Sequence, residues 1–318
     1  MNKAARIFVA GRRGLVGSAL YRVLQARGFS RLLGPSREEL DLRDQAAVES
    51  FFSEQQPEYV FVAAARVGGI LANDMYPADF IRDNLQIQTN VIDAAFRHGV
   101  RKLCFLGSSC VYPRLAPQPI EEHALLSGPL ESTNQWYAVA KIAGIKMCQA
   151  YAKQHRFNAI SLMPTNLYGP GDNFDLQTAH VLPALIRKFH EARAARSPSV
   201  TVWGSGSPRR EFLYVDDLAD AACFLMASYD LPDVVNVGVG TDISIAELAA
   251  TIREIVGFDG EIVFDPTKPD GTPRKLLDIS KCRALGWRAQ TQLERGIRAT
   301  YAWYLHNRDT ADDSAPRT

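Results

Sequence analysis

The chain carries no excess of charge of either sign. Its 36 Lys and Arg face 35 Asp and Glu among 318 residues, which leaves no basic field for nucleic acid and no acidic tail. Long apolar runs are missing too. The longest, Tyr59–Val67, is interrupted by Arg66 and is far too short to span a bilayer. The opening MNKAARIFVAG enters a strand-like segment at once and lacks the apolar stretch and small-residue cleavage site of a secretory signal. Cysteine is scarce: Cys104, Cys110, Cys148, Cys223 and Cys282 are an odd number with no C-x-x-C pair. That is neither a disulfide framework nor a zinc site, and it suits a reducing cytosol. The expectation is a cytoplasmic chain with no metal centre, no nucleic-acid partner and no membrane association.

What remains is an ordinary globular composition, 47% hydrophobic and 22% charged, long enough for about two domains. Short apolar runs (Arg6–Ala10, Arg31–Leu33, Tyr59–Ala63, Lys102–Leu106, Ala159–Met163) alternate with helical patterns at Val16–Ala26, Ala46–Phe52, Phe80–Phe96 and Tyr137–Gln154. Strands this apolar, alternating with helices, imply an α/β fold: a doubly wound parallel sheet of the Rossmann type, covered on both faces. After Pro164 the pattern changes. A long Gly-, Asn- and Asp-rich stretch, TNLYGPGDNFDLQT, precedes helices at Val181–Ala194, Ile245–Val256 and Leu293–Leu305 and a strand at Val200–Trp203. The expected division is a nucleotide-binding domain of residues 1–165 plus about 212–240, and a smaller substrate domain of about 166–211 plus 241–307. Residues 308–318 read as a flexible tail.

The first strand runs into Gly11-Arg-Arg-Gly14-Leu-Val-Gly17 and a helix follows directly. In such a turn Gly11 permits the tight bend, Gly14 lets the backbone approach a pyrophosphate, and Gly17 lets helix lie on strand. The anion then sits on free N–H groups at the helix start. The acidic residue that normally ends the second strand is missing. Arg37 stands there instead, about 20 residues past the last glycine, with Arg13 inside the turn. Two guanidiniums and no carboxylate favour the 2′-phosphate of NADP(H).

Tyr137-x-x-x-Lys141 places a phenol and an ammonium on one helix face. A cation there is expected to lower the phenol pKa and permit proton exchange near neutral pH. Leu106-Gly-Ser108-Ser109-Cys110 follows the fourth strand, whose C-terminal end faces the ligand crevice in a doubly wound sheet. A Ser108 hydroxyl there can bind a carbonyl oxygen together with Tyr137. Read as an extended segment, the i, i+2 spacing puts Ser108 and Cys110 on one side and turns Ser109 away.

Glycine turn, serine, tyrosine and lysine in this order resemble the extended short-chain dehydrogenase/reductase family, over nearly the whole chain. Longer segments are more specific: LGSSCVYP, NQWYAVAKIAGIKMC, PTNLYGPGDNFD, HVLPALIRKFHEA, WGSGSPRREFLYVDDLADA and DGTPRKLLD. They resemble the members that invert carbons 3 and 5 of GDP-4-keto-6-deoxy-D-mannose and then reduce carbon 4 with NADPH to give GDP-L-fucose. The resemblance implies catalytic roles for Ser108, Tyr137 and Lys141, with Cys110 and His180 as epimerisation base and acid. It implies cofactor contacts at Leu15, Val16, Asp41, Leu42, Ala63, Ala64, Ala65, Leu106, Pro164, Asn166, Leu167 and His180, besides the glycine turn, Arg13, Arg37, Tyr137 and Lys141. Asp175 and Thr178-Ala179 depart from the His and Asn-Ser that usually surround the histidine.

A GDP-sugar needs cations and an apolar wall. Lys188, Trp203, Arg210, Arg274 and Lys275 are the available residues, alongside Ser108, Ser109, Cys110 and Asn166 nearer the reacting carbons. Arg210 follows a Gly/Ser/Pro loop and suits phosphate bidentately. Its neighbour Arg209 is expected to face solvent, and Trp203 reads equally as core. A homodimer through the helices at Phe80–Phe96 and Tyr137–Gln154 is implied by the family. The alternatives are another NAD(P)-dependent nucleotide-sugar 4-reductase or 4-epimerase, or a catalytically idle NADP-binding sensor on the same fold. Arg37 and Cys110 argue against the 4-epimerase, and the presence of both Tyr137 and Lys141 argues against the sensor.

Overall fold

Short apolar segments, almost all buried, form the central sheet of the computed structural model, which describes residues 1–311 apart from residue 269. In chain order the first half comprises β1 (Ile7–Ala10), α1 (Leu15–Ala26), β2 (Leu32–Leu33), α2 (Gln45–Gln55), β3 (Tyr59–Val62), α3 (Ile70–Met75), α4 (Pro77–Arg97), β4 (Lys102–Leu106), α5 (Gln135–His155) and β5 (Ala159–Pro164). The second half comprises β6 (Asn166–Tyr168), α6 (Val181–Ala194), β7 (Ser199–Trp203), β8 (Arg209–Arg210), β9 (Phe212–Tyr214), α7 (Val215–Ser228), β10 (Val235–Val237), β11 (Ile243–Ser244), α8 (Ile245–Val256), β12 (Glu261–Asp265), β13 (Arg274–Lys275), α9 (Ser280–Ala284) and α10 (Leu293–Ala311).

The sheet order is β10-β5-β4-β3-β1-β2, and every neighbouring pair is parallel. Strand alternation divides its side chains between two cores. Phe8, Val60, Val62, Leu103 and Phe105 join one with the faces of α2, α4 and α5. Ile7, Val9, Phe61, Cys104 and Leu106 join the other with α1 and α7. Each such full burial contributes about 1.5–3 kcal/mol. Helix boundaries follow local chemistry. Asp44 caps α2 through Ala46 and Ala47 N–H, Pro77 opens α4, and Ser244 with Glu247 forms a capping box on α8, which ends at left-handed Gly257.

A third core gathers Phe174, Phe212 and the inner faces of α6, α8 and α10. Beside it stand the two-stranded pairs β12-β7 and β6-β9 and the three-stranded sheet β11-β8-β13. The last helix takes in the first four residues of the segment expected to be a tail; residues 312–318 lie outside the described residues. No helix among the described residues is long and apolar enough to cross a membrane.

Asp172, in the loop after β6, is buried with one carboxylate oxygen accepting from Asn173 N–H and the other without a hydrogen-bond partner among the described residues. Burial pushes its pKa up from 3.8 to about 7. The fold therefore favours the protonated acid. That stability is fully present below the unfolded pKa of 3.8, and it is lost as pH rises through about 7. Asp172→Asn should exceed the parent in stability by roughly 2–4 kcal/mol above neutrality. Urea midpoints at about pH 4 and about pH 8 check this; parallel pH curves for the two proteins would contradict it.

Candidate active site

The glycine turn joins β1 to α1 at the carboxyl edge of the sheet. Gly11 has φ +87°, and a Cβ there would stand 2.7 Å from the Ala64 nitrogen, so this strand end and the one after β3 meet backbone to backbone. A Cβ on Gly17 would overlap the Gly11 carbonyl. Gly14 caps α1 without any side-chain hydrogen bond, leaving the Leu15 and Val16 N–H groups open at the positive end of the helix dipole. These features fit a dinucleotide pyrophosphate. Ala63 N–H bonds the Ala10 carbonyl at 3.1 Å, which fixes the Ala63–Ala65 segment alongside.

Arg37, exposed, follows β2, and Arg13 reaches the same region from the glycine turn. Arg13 pairs with Glu38 at 3.1 Å, both exposed. Arg12, which the sequence reading passed over, stacks 4.2 Å from the Tyr21 ring centroid and its side chain covers Gly34. Asp41 is engaged by Arg43 at 2.6 Å, which lowers its pKa to about 2, while the Leu42 carbonyl accepts from Asn90. The Asp41 carboxylate therefore belongs to an ion pair with Arg43.

After β4, Ser108 is extended (φ −163°, ψ 148°) but residues Ser109–Val111 close a single 3-10 turn. The expected continuous extended segment is thus corrected: Ser108 Oγ accepts from the Cys110 N–H at 3.4 Å, and the turn rather than strand pleating brings the two together. Ser109, expected to point away, lines the same cleft as Cys110. The turn abuts α5, which carries Tyr137 and Lys141. Lys141 Nζ is buried, donates to the Leu106 carbonyl at 2.8 Å and stands 5.8 Å from the Tyr137 ring centroid.

Charge in this pocket differs from expectation. Burial, and then the neighbouring Cys110, push the Tyr137 phenol up rather than down, and burial lowers Lys141 to about 8. The phenol of this half-buried tyrosine, crowded by protein, holds its proton, which suits a donor to a developing alkoxide.

His180 is the N-cap residue of α6 and keeps an open face to solvent. The protein crowded around its other side, together with Lys275, disfavours the imidazolium. The departures near it form a self-consistent turn. Asp175 Oδ1 accepts from Thr178 N–H at 2.9 Å and Thr178 Oγ at 2.8 Å, and Thr178 Oγ accepts from Asn173. Gly69 N–H then bonds the Thr178 carbonyl at 2.8 Å, tying the segment after Ala65 to the start of α6. Pro164 ends β5; Asn166, two residues on, donates to the Glu211 carbonyl at 2.7 Å, with Leu167 following in β6.

The register of β11-β8-β13 sorts the basic residues by face. Arg209 lies beside Arg274, and Arg210 beside Lys275. Asp242, buried, takes Arg209 at 2.8 Å and also Arg274, and Glu247 adds a second carboxylate to Arg209. Arg209 and Arg274 are therefore neutralised. Arg274 was expected among the substrate cations, and its charge is already matched. Arg210 is held by the Arg209 and Asp270 carbonyls and by no carboxylate side chain among the described residues. Lys275 lines the cleft with Cys110, Ser109, Asn134 and Glu131. Trp203 is 46% exposed, which removes the core reading, and Lys188 and Lys268 flank its ring at 5.2 and 5.6 Å.

Glu131, Asp242 and Gly69 escaped sequence reading because only tertiary contacts give them a place. Glu131 pairs with Arg114 at 3.1 Å inside the cleft.

Comparison with known proteins agrees with this geometry. The model of the NAD dependent epimerase/dehydratase family matches residues 7–238. Putative GDP-L-fucose synthase 2 of Arabidopsis thaliana is 62% identical over 307 residues, 96% of this chain and 94% of the relative. GDP-L-fucose synthase of Escherichia coli (strain K12) is 52% identical, with 96% and 98% covered. A GDP-L-fucose synthetase from Naegleria fowleri, solved bound to NADP, superimposes with a TM-score of 0.90 at 30% identity, covering 98% of this chain and 97% of that one. The chain belongs to the NAD dependent epimerase/dehydratase family, and within it to the group of the GDP-L-fucose synthases.

Proposed function

We propose that this chain is a GDP-L-fucose synthase: it inverts carbons 3 and 5 of GDP-4-keto-6-deoxy-D-mannose and reduces the 4-keto group to give GDP-L-fucose. The observation that carries this reading is Cys110, held by Ser108 in the turn after β4 and close enough to Tyr137 to perturb it. A carbonyl at carbon 4 acidifies the protons on both neighbouring carbons. Cys110 and His180 serve as the groups that remove a proton from one face and return one to the other. Ser108 and Tyr137 hold the oxygen that is negative in the enolate and again in the alkoxide, so one oxyanion site serves both steps. Tyr137 passes its proton to that oxygen in the reduction. NADPH, when bound, supplies the hydride for carbon 4. Lys141 ties the tyrosine helix to the end of β4 and holds an ammonium 5.8 Å from the Tyr137 ring centroid.

The glycine turn, with Leu15 and Val16 N–H, takes the pyrophosphate of NADP(H), and Arg13 and Arg37 take its 2′-phosphate. Arg210, Lys188 and the exposed Trp203 receive the GDP end. We assign residues of about 166–211 and 241–307 to the substrate domain; they supply most side chains of the third core. Trp136 and Val139, exposed on α5, suit a homodimer through α4 and α5. Five unpaired, buried cysteines suit the cytoplasm.

Removing both guanidiniums (Arg13→Ala with Arg37→Ala) should raise the apparent KM for NADPH by ~10-fold or more and leave NADH nearly unaffected, since each charge-assisted bond is worth about 1.5–3 kcal/mol. Initial rates with the two cofactors decide it; equal losses would place the arginines elsewhere. The proposal itself is tested by NADPH consumption with GDP-4-keto-6-deoxy-D-mannose and identification of the product sugar. GDP-L-fucose supports it. GDP-D-rhamnose, reduced without inversion, removes Cys110 and His180 from the chemistry.

A further inference from the structure

Lys275 lines the wall of the cleft that holds Cys110. It enters the cleft from β13, on the face opposite the Asp242 cluster, because the register places Arg274 and not Lys275 beside Arg209. Among the described residues no carboxylate lies within ion-pair distance of its Nζ. It shares the cleft wall with Cys110. We propose that Lys275 is a positioning residue for the epimerisation step: a fixed cation that stabilises the Cys110 thiolate, and not primarily a ligand of the substrate's diphosphate.

The surroundings of Cys110 support this. Its own turn presents Ser108 and Ser109, α5 presents Tyr137 and Lys141, and the segment before α5 presents Asn134 and Glu131. Burial holds the thiol protonated. Lys275 is the strongest influence in the other direction, ahead of the Ser108 hydroxyl and Lys141. Cys110 and Glu131 in turn favour the charged lysine, against burial and the adjacent Arg210. The same cation disfavours the His180 imidazolium, so Lys275 favours the deprotonated form of both members of the pair. A cation near a thiol makes thiolate available at lower pH. No new bond is involved: Cys110 gives up its proton to solvent, takes one from the sugar carbon, and is returned to thiolate.

This inference rests on the epimerase reading for its purpose, but its test needs no sugar. The full-length protein with NADPH is treated with iodoacetamide across a pH series, and modification at Cys110 is read by peptide mass spectrometry. The other four cysteines are at most 2% exposed, against 8% for Cys110, and serve as internal controls. Lys275→Gln is expected to move the alkylation midpoint up by about one pH unit or more, and Lys275→Arg to restore most of it. NADPH binding by each variant verifies the fold. The pH profile of solvent-deuterium exchange at carbons 3 and 5 reports the same group from the substrate side and should shift equally. An unshifted Cys110 midpoint in Lys275→Gln, with only the apparent KM for the sugar raised, overturns the proposal and returns Lys275 to the diphosphate. A shifted midpoint with no exchange in any variant upholds Lys275 and overturns the sugar assignment.

Discussion

Deuterium exchange at carbons 3 and 5 should fall by about 10²–10⁴-fold when Cys110 is replaced by serine, the range that general acid–base groups contribute. The hydroxyl is nearly the same size, so the 3-10 turn and the Ser108 contact survive, and NADPH affinity should be unchanged. What changes is proton affinity. A thiolate is reachable near neutral pH with help from adjacent cations, whereas an alkoxide is not. Exchange is read by incubating the variant with sugar and oxidised cofactor in D₂O and following the two positions by NMR. Exchange at the wild-type rate would remove Cys110 from the mechanism and leave Tyr137 and Ser108 untouched as the reduction site.

Tyr137→Phe is expected to impair both steps together, each by roughly 10²–10³-fold, because one hydroxyl stabilises the enolate oxygen and the alkoxide alike. The ring remains in its place on α5, and the Lys141–Leu106 bond does not pass through the phenol, so the fold and cofactor affinity should persist. The diagnostic feature is the parallel loss. Parallel measurement of deuterium exchange and of NADPH oxidation with the variant checks it. Loss of reduction with intact exchange would mean that another group holds the oxygen during epimerisation, and the shared oxyanion site would be discarded.

Much of this site is legible in the sequence alone. β1, α1 and the glycine turn announce themselves locally, because tight backbone approach needs Gly11 and Gly17 whatever the rest of the chain does. The boundaries of β4, α6 and α8 coincide with their apolar runs and caps. Ser108 and Cys110 were found by their position after β4, yet for an incomplete reason: the two-residue period of a strand does not apply where the backbone closes a turn. The phenol's raised pKa is likewise hidden, since the i, i+4 spacing reports that Lys141 is near but not how closely protein crowds the half-buried Tyr137. Among the basic residues, sequence gives their types without their partners. Only the register of β8 and β13 shows that Asp242 claims Arg209 and Arg274 and that Arg210 stands beside Lys275.

In the proposed function a single constellation after β4 performs proton exchange on two carbons and then reduction on the carbon between them. The direct measurement is one turnover mixture in D₂O: GDP-4-keto-6-deoxy-D-mannose, unlabelled NADPH and wild-type protein, with deuterium in the isolated product located by NMR and mass spectrometry. The account requires GDP-L-fucose carrying solvent deuterium at both carbons 3 and 5 and hydrogen from the cofactor at carbon 4. A reduced product with no solvent label on either carbon would contradict it.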